Sequence, residues 1–103
     1  MSKVIVLYPQ PTDSAKFDQD YAVHMRLFDE KMGITGETKP YTVTKMFPTP
    51  AGAPPFYQMA VIHFNSTEEM QAAMASPQVA ELTADATRIS SGGSPVFMIG
   101  ADM

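Results

Sequence analysis

Apolar positions along the chain follow two periods, one of a strand and one of a helix. Lys3-Val4-Ile5-Val6-Leu7-Tyr8 is a continuous β-rich run stopped by Pro9. A run apolar on both faces is the pattern of a central strand. Phe17, Tyr21, His24, Phe28 and Met32 follow at spacings of four, three, four and four. That is one stripe of a helix, opened by Thr12 or Asp13 as cap and ended by Gly33. Residues 38 to 47 alternate instead, with Tyr41, Val43 and Phe47 on one side and Thr42 and Thr44 on the other. Pro40 near its start suits an edge strand, where a missing N–H is tolerated.

After a loop from Ala51 to Pro55, residues 56 to 64 form a second two-faced apolar strand. Tyr57, Met59 and Val61 face one way, with His63; Phe56, Ala60, Ile62 and Phe64 face the other. Ser66 and Glu69 make a capping box that opens a helix through Met70, Ala73 and Met74. Ser76-Pro77 restarts a short helix whose apolar side is Val79, Leu82 and Ala86, since proline suits the first helical position. Ser90 to Ser94 is a turn, and Pro95 to Ile99 is a last strand closed by Gly100.

The βαββαβ order with right-handed crossovers predicts an α+β, ferredoxin-like sandwich: a four-stranded antiparallel sheet in the order 4-1-3-2, as one domain over residues 1–103. Helices in this arrangement cover one sheet face only. The central strands are apolar toward both faces, more than a soluble monomer usually exposes, so the expected assembly is a homodimer joined through the open sheet faces.

Composition narrows the chemistry. A net charge of −4 and a pI near 4.9 argue against a nucleic-acid partner, which needs a basic stripe. The third strand also lacks the basic-glycine-aromatic signature of RNA-recognition modules. The absence of cysteine excludes disulfides, thiolate metal sites and cysteine nucleophiles. No apolar run spans a membrane and no secretory leader is apparent, so the expected location is the cytoplasm. Nine methionines are either core filler or the wall of a malleable apolar pocket.

Only two histidines are present, His24 and His63. His24 lies within the apolar helical stripe and therefore points toward the sheet. An imidazole is the side chain best suited to moving protons near neutral pH, and Tyr21, one turn earlier, could hydrogen-bond to it or to a bound oxygen. His24 and Tyr21 are thus a candidate acid/base pair; the alternative is a core histidine held by a carbonyl or hydroxyl. No nucleophile elbow, phosphate loop or HExxH spacing occurs, and neither a metal nor another cofactor is expected.

Phe17-Asp18-Gln19-Asp20-Tyr21 followed by His24-Met25-Arg26-Leu27 resembles the opening of the EthD family. Phe56 to Ala60, Phe64-Asn65-Ser66, Ala72 to Pro77, Ala84-Asp85 and Gly92 to Phe97 resemble its later segments, so the likeness covers essentially the whole chain. Arg26 stands where the family commonly has proline, and the Tyr-to-His spacing of three is short. The resemblance implies a dimeric α/β-barrel of two ferredoxin-like protomers, with the family's Tyr, His and acidic residue carried over to Tyr21, His24 and Asp85. It implies a small apolar or aromatic metabolite held between sheet and helices, with His24 and Tyr21 serving a cofactor-independent oxidation or isomerisation in a degradation or biosynthetic pathway. The ligand-contacting residues expected are Phe17, Phe28, Tyr57, Met59 and His63. The rival expectation is a non-catalytic accessory or metabolite-binding protein that supports a partner oxygenase.

Overall fold

The structure, a computed structural model, describes residues 1–36 and 39–103. The elements run β1 (Ser2–Pro9), α1 (Ser14–Met32), β2 (Tyr41–Lys45), β3 (Phe56–Phe64), α2 (Thr67–Met74), α3 (Pro77–Ile89) and β4 (Val96–Ala101). The strands form one antiparallel sheet in the order β2-β3-β1-β4, the ferredoxin-like topology expected from the element order.

Alternation along β1 sets the layering. Val4, Val6 and Tyr8 are buried, while Ile5 and Leu7 on the opposite face are only half-buried. The buried set packs with Phe17 and Tyr21 of α1, Met70 of α2, and Ala86 and Ile89 of α3. All three helices therefore cover one face. The register pairs Val4 with Ile62 and Val6 with Ala60, which brings these β3 residues to the helix side. Ile5 opposite Val61 and Leu7 opposite Met59 lie on the open face, and Met98 of β4 pairs beside Ile5.

Each helix begins and ends where local chemistry dictates. Asp13 accepts a hydrogen bond from Lys16 N at 3.1 Å, satisfying one of the free donors of the first turn of α1. Gly33 closes α1 at φ 70°, a left-handed conformation that favours glycine. Ser66 and Ser76 cap α2 and α3 in the same way as Asp13.

Two boundaries differ from those expected. β2 stops at Lys45, and Phe47 lies outside it, 76% exposed. The ladder ends with Met46 N donating to Tyr57 O, because Pro48 has no N–H to extend it. Thr38, at the start of the alternating run, lies outside the described residues. β4 runs through Gly100 to Ala101, where β1 still offers Lys3 and Ser2 as partners.

Two loops meet at one end of the sheet. Thr12 N donates to Ser91 Oγ at 3.1 Å, and Gly92 packs so closely that a Cβ there would overlap the Gln10 carbonyl. Gly92→Ala is therefore expected to cost about 1–3 kcal/mol by forcing the backbone apart. Urea denaturation checks this, and an unchanged midpoint would show that the loop gives way freely.

Candidate functional site

The α1 stripe, repeating every three or four residues, presents Phe17, Tyr21, His24 and Phe28 to the sheet, and all four are buried. α3 crosses beside it, and its inward face brings Leu82, Asp85 and Ala86 toward the same space. Between these helices and the sheet lies a cavity of about 60 Å³, walled by apolar side chains with Tyr8, Tyr21, His24, Tyr41 and Thr83 as its polar members. No lysine, arginine, aspartate or glutamate lines it among the described residues.

The centre of the site is a carboxylate–imidazole pair. His24 Nδ1 lies 2.8 Å from Asp85 Oδ2, with the imidazole 6% and the carboxylate 17% exposed. Arg88 grips the other carboxylate oxygen through Nε at 3.0 Å and Nη2 at 2.9 Å. Burial pushes the Asp85 carboxyl up, but the His24 hydrogen bond and the Arg88 guanidinium outweigh it, and the group titrates below the usual carboxylate range. An ionised Asp85 accepts the Nδ1 proton. In the neutral imidazole this selects the Nδ1–H tautomer, with Nε2 as the acceptor nitrogen on the cavity wall.

Two tyrosines complete the polar end. Tyr21 is buried, its ring 5.9 Å from that of His24, and its Oη has no hydrogen-bond partner among the described residues. Burial pushes this phenol up to about 12, with the neighbouring Gln58 side chain opposing the rise without completing a hydrogen bond of sound geometry. Tyr8, packed edge-on to Tyr21 at 5.5 Å, is pushed up further by burial and by the nearby Tyr21 and Asp85. Both hydroxyls stay protonated at neutral pH and act as donors. Tyr41, at another wall, is already committed: its hydroxyl donates to Asp29 Oδ1 at 2.7 Å, and Lys39 donates to the other oxygen at 2.9 Å.

An unpartnered buried hydroxyl burdens the fold, so Tyr21→Phe is expected to leave the melting temperature unchanged or raise it. Thermal denaturation followed by circular dichroism checks this. A fall of several degrees would show that the hydroxyl is bonded in solution.

The residues singled out from sequence separate into groups. Tyr21, His24 and Phe28 line the cavity. Phe17 sits deeper, in an aromatic cluster with Tyr8, Tyr21 and Tyr57 at centroid distances of 5.3, 5.7 and 5.5 Å. Tyr57 is the extra residue of a bulge where the β1–β3 register shifts, which turns it toward Phe17, Asp18 and Lys45 rather than along the open face. Met59 lies opposite Leu7 on the open face, and His63 opposite Lys3. His63 also borders a second, more open cleft of about 230 Å³ with Met32 and Pro40. Periodicity did not single out Tyr8, Gln58 or Arg88. Arg88 was accessible as an i,i+3 partner of Asp85, whereas Tyr8 reads only as a strand residue.

Comparison with known proteins adds a family. The EthD domain model matches residues 9–92. An uncharacterized 11.0 kDa protein in the thcB-thcC intergenic region of Rhodococcus erythropolis is 30% identical over 94 residues, covering 90% of this chain and 87% of its own. An EthD family protein of Bacillus halodurans is 31% identical with a TM-score of 0.82, covering 100% of this chain and 99% of its own. An EthD-like protein of Ralstonia eutropha is 30% identical with a TM-score of 0.66, covering 96% and 88%. Structures that share the fold alone include dimeric ferredoxin-like proteins of unknown function, 10% and 16% identical, and a cofactor-independent oxygenase from Streptomyces nogalater, 13% identical.

Proposed function

The chain belongs to the EthD family, and from that footing we propose that it binds a small apolar or aromatic molecule in the His24 cavity and moves a proton on it. One observation carries the reading: a buried imidazole whose Nδ1 is held 2.8 Å from an ionised carboxylate, on the wall of an otherwise apolar cavity. His24 Nε2 takes a proton from the ligand, and Asp85 stabilises the imidazolium that results. Tyr21 donates a hydrogen bond to the ligand oxygen on which negative charge gathers. An isomerisation then returns the proton to a different atom. An oxidation instead uses dioxygen as the oxidant, one oxygen atom entering the deprotonated ligand and the other leaving as water; a cofactor-independent oxygenase shares this fold.

We take residues 1–103 as one ferredoxin-like domain working in the cytoplasm as a homodimer. No helix among the described residues is long and apolar enough to cross a membrane. The dimer is supported by the open sheet face, where the apolar Ile5, Leu7 and Met59 are half-buried and Met98 is exposed, and by the dimeric proteins of the same fold. Native mass spectrometry of protein purified gently from its host, followed by denaturing analysis of anything released, tests both parts. The expected result is a dimer carrying a small apolar molecule. A monomer contradicts the pairing of sheet faces, and a dimer that never carries or takes up such a molecule contradicts the ligand.

A second reading rests on the same pair. The His24–Asp85 bond also ties α1 to α3, so a non-catalytic metabolite-binding or accessory protein would keep it for stability. His24→Ala and His24→Gln separate the two: a large loss of stability with ligand binding retained favours the accessory role.

A further inference from the structure

We propose that the cavity selects a neutral, single-ring molecule bearing a hydroxyl, a phenol or a comparable enol, and rejects carboxylates. This inference rests on the reading of the cavity as the ligand site and names the chemistry it recognises.

Charge decides the first part. The Arg88 guanidinium, behind the polar end, is engaged with Asp85 Oδ1. Asp85 itself is held ionised directly behind His24. A carboxylate entering the cavity would lose its hydration, find no free cation among the described lining residues, and face the field of a like charge.

Hydrogen bonding decides the second part. Tyr21 Oη is buried and unpartnered among the described residues, and it is a donor at neutral pH. In the neutral imidazole, His24 Nε2 is the acceptor, since the proton sits on the Nδ1 that faces Asp85. Both residues line the cavity, their ring centroids 5.9 Å apart, so one bound molecule reaches the pair. A hydroxyl meets both needs at one atom, donating to Nε2 and accepting from Tyr21. An ether or ketone oxygen serves only Tyr21, and a hydrocarbon serves neither.

Size decides the third. A single water needs roughly 10–15 Å³ of such space. By that measure a cavity of about 60 Å³ holds roughly four to six waters, the room of a single ring.

The test titrates phenol, benzene, benzoate and 2-naphthol into the wild-type protein and into Tyr21→Phe, following the cavity methionine methyl signals by NMR at neutral pH. Phenol is expected to shift these signals with an affinity that Tyr21→Phe weakens roughly tenfold. Benzene is expected to bind more weakly and equally to both proteins, and benzoate and 2-naphthol to leave the cavity signals unmoved. Benzoate binding as well as phenol, phenol binding insensitive to Tyr21→Phe, naphthol entering as readily as phenol, or no cavity shift with any of the four would each overturn the proposal. Cargo of another chemical class found by native mass spectrometry would sink this selectivity while leaving the ligand-binding reading intact.

Discussion

Asp85→Ala is expected to lower stability by about 1–3 kcal/mol and to abolish the proton transfer proposed for His24. The stability loss follows from stranding a buried imidazole donor, which costs more than a bond between exposed groups is worth. The functional loss follows from the tautomer: without the carboxylate, nothing holds the proton on Nδ1, and Nε2 is no longer a dependable base. Asp85→Asn separates the two effects. Its amide oxygen still accepts from Nδ1, which spares part of the stability, but its amide nitrogen can donate instead and select the wrong tautomer.

The substitution also changes the acid limb of the stability curve. The folded-state pKa of Asp85 is depressed below the ordinary value of 3.8, so its contribution is fully present above that value. It is lost as pH falls from there through the lower folded-state pKa. Asp85→Ala should flatten this limb without erasing it, because Asp29, held down by Lys39 and Tyr41 against its own burial, and Asp102, held down by Lys3, titrate in the same direction. Urea denaturation between neutral pH and pH 3 reads the difference. An acid limb as steep in the variant as in the wild type would mean that the His24–Asp85 bond does not persist in solution.

Phe17→Ala is expected to have the largest effect on stability, about 3–5 kcal/mol. Phe17 is among the most buried side chains, 2% exposed, and its ring meets those of Tyr8, Tyr21 and Tyr57. Truncation removes the ring's burial, leaves a void that the rigid β1 strand cannot close, and breaks three aromatic contacts worth about 0.5–1.5 kcal/mol each in such pairs. A chain of this size has only about 5–15 kcal/mol in total, so the melting temperature should fall by about 15 °C or more. The same change loosens Tyr8 and Tyr21 at the polar end of the cavity. A stable Phe17→Ala protein that has lost only ligand binding would instead make Phe17 a ligand-contacting wall.

The contrast between Phe17 and Met59 shows what the sequence could and could not tell. Helical periodicity put Phe17, Tyr21, His24 and Phe28 on one buried face, because a helix has one inward direction and the apolar stripe marks it. A two-faced apolar strand offers no such marker. Side chains along residues 58 to 63 point to alternate faces, but that does not say which face the helices cover, and Met59 and His63 lie on the other one. The bulge that turns Tyr57 toward Phe17 depends on a register shift against β1, a tertiary property that no local pattern encodes. Strand order was legible, since element order and crossover hand leave few topologies. The partner of His24 was not legible from periodicity: Asp85 lies 61 positions away on α3, and only the packing of α3 against α1 brings the two together. Family resemblance pointed to Asp85 without supplying the bond.

The central claim is that Asp85 holds His24 with its proton on Nδ1 and Nε2 free to accept. Long-range proton–nitrogen NMR on imidazole-labelled protein at neutral pH measures this tautomer directly. The expected spectrum shows a protonated Nδ1 and an unprotonated Nε2 for His24, reverting toward a mixture in Asp85→Ala. A His24 carrying its proton on Nε2, or one whose signals are unchanged by Asp85→Ala, would contradict the account.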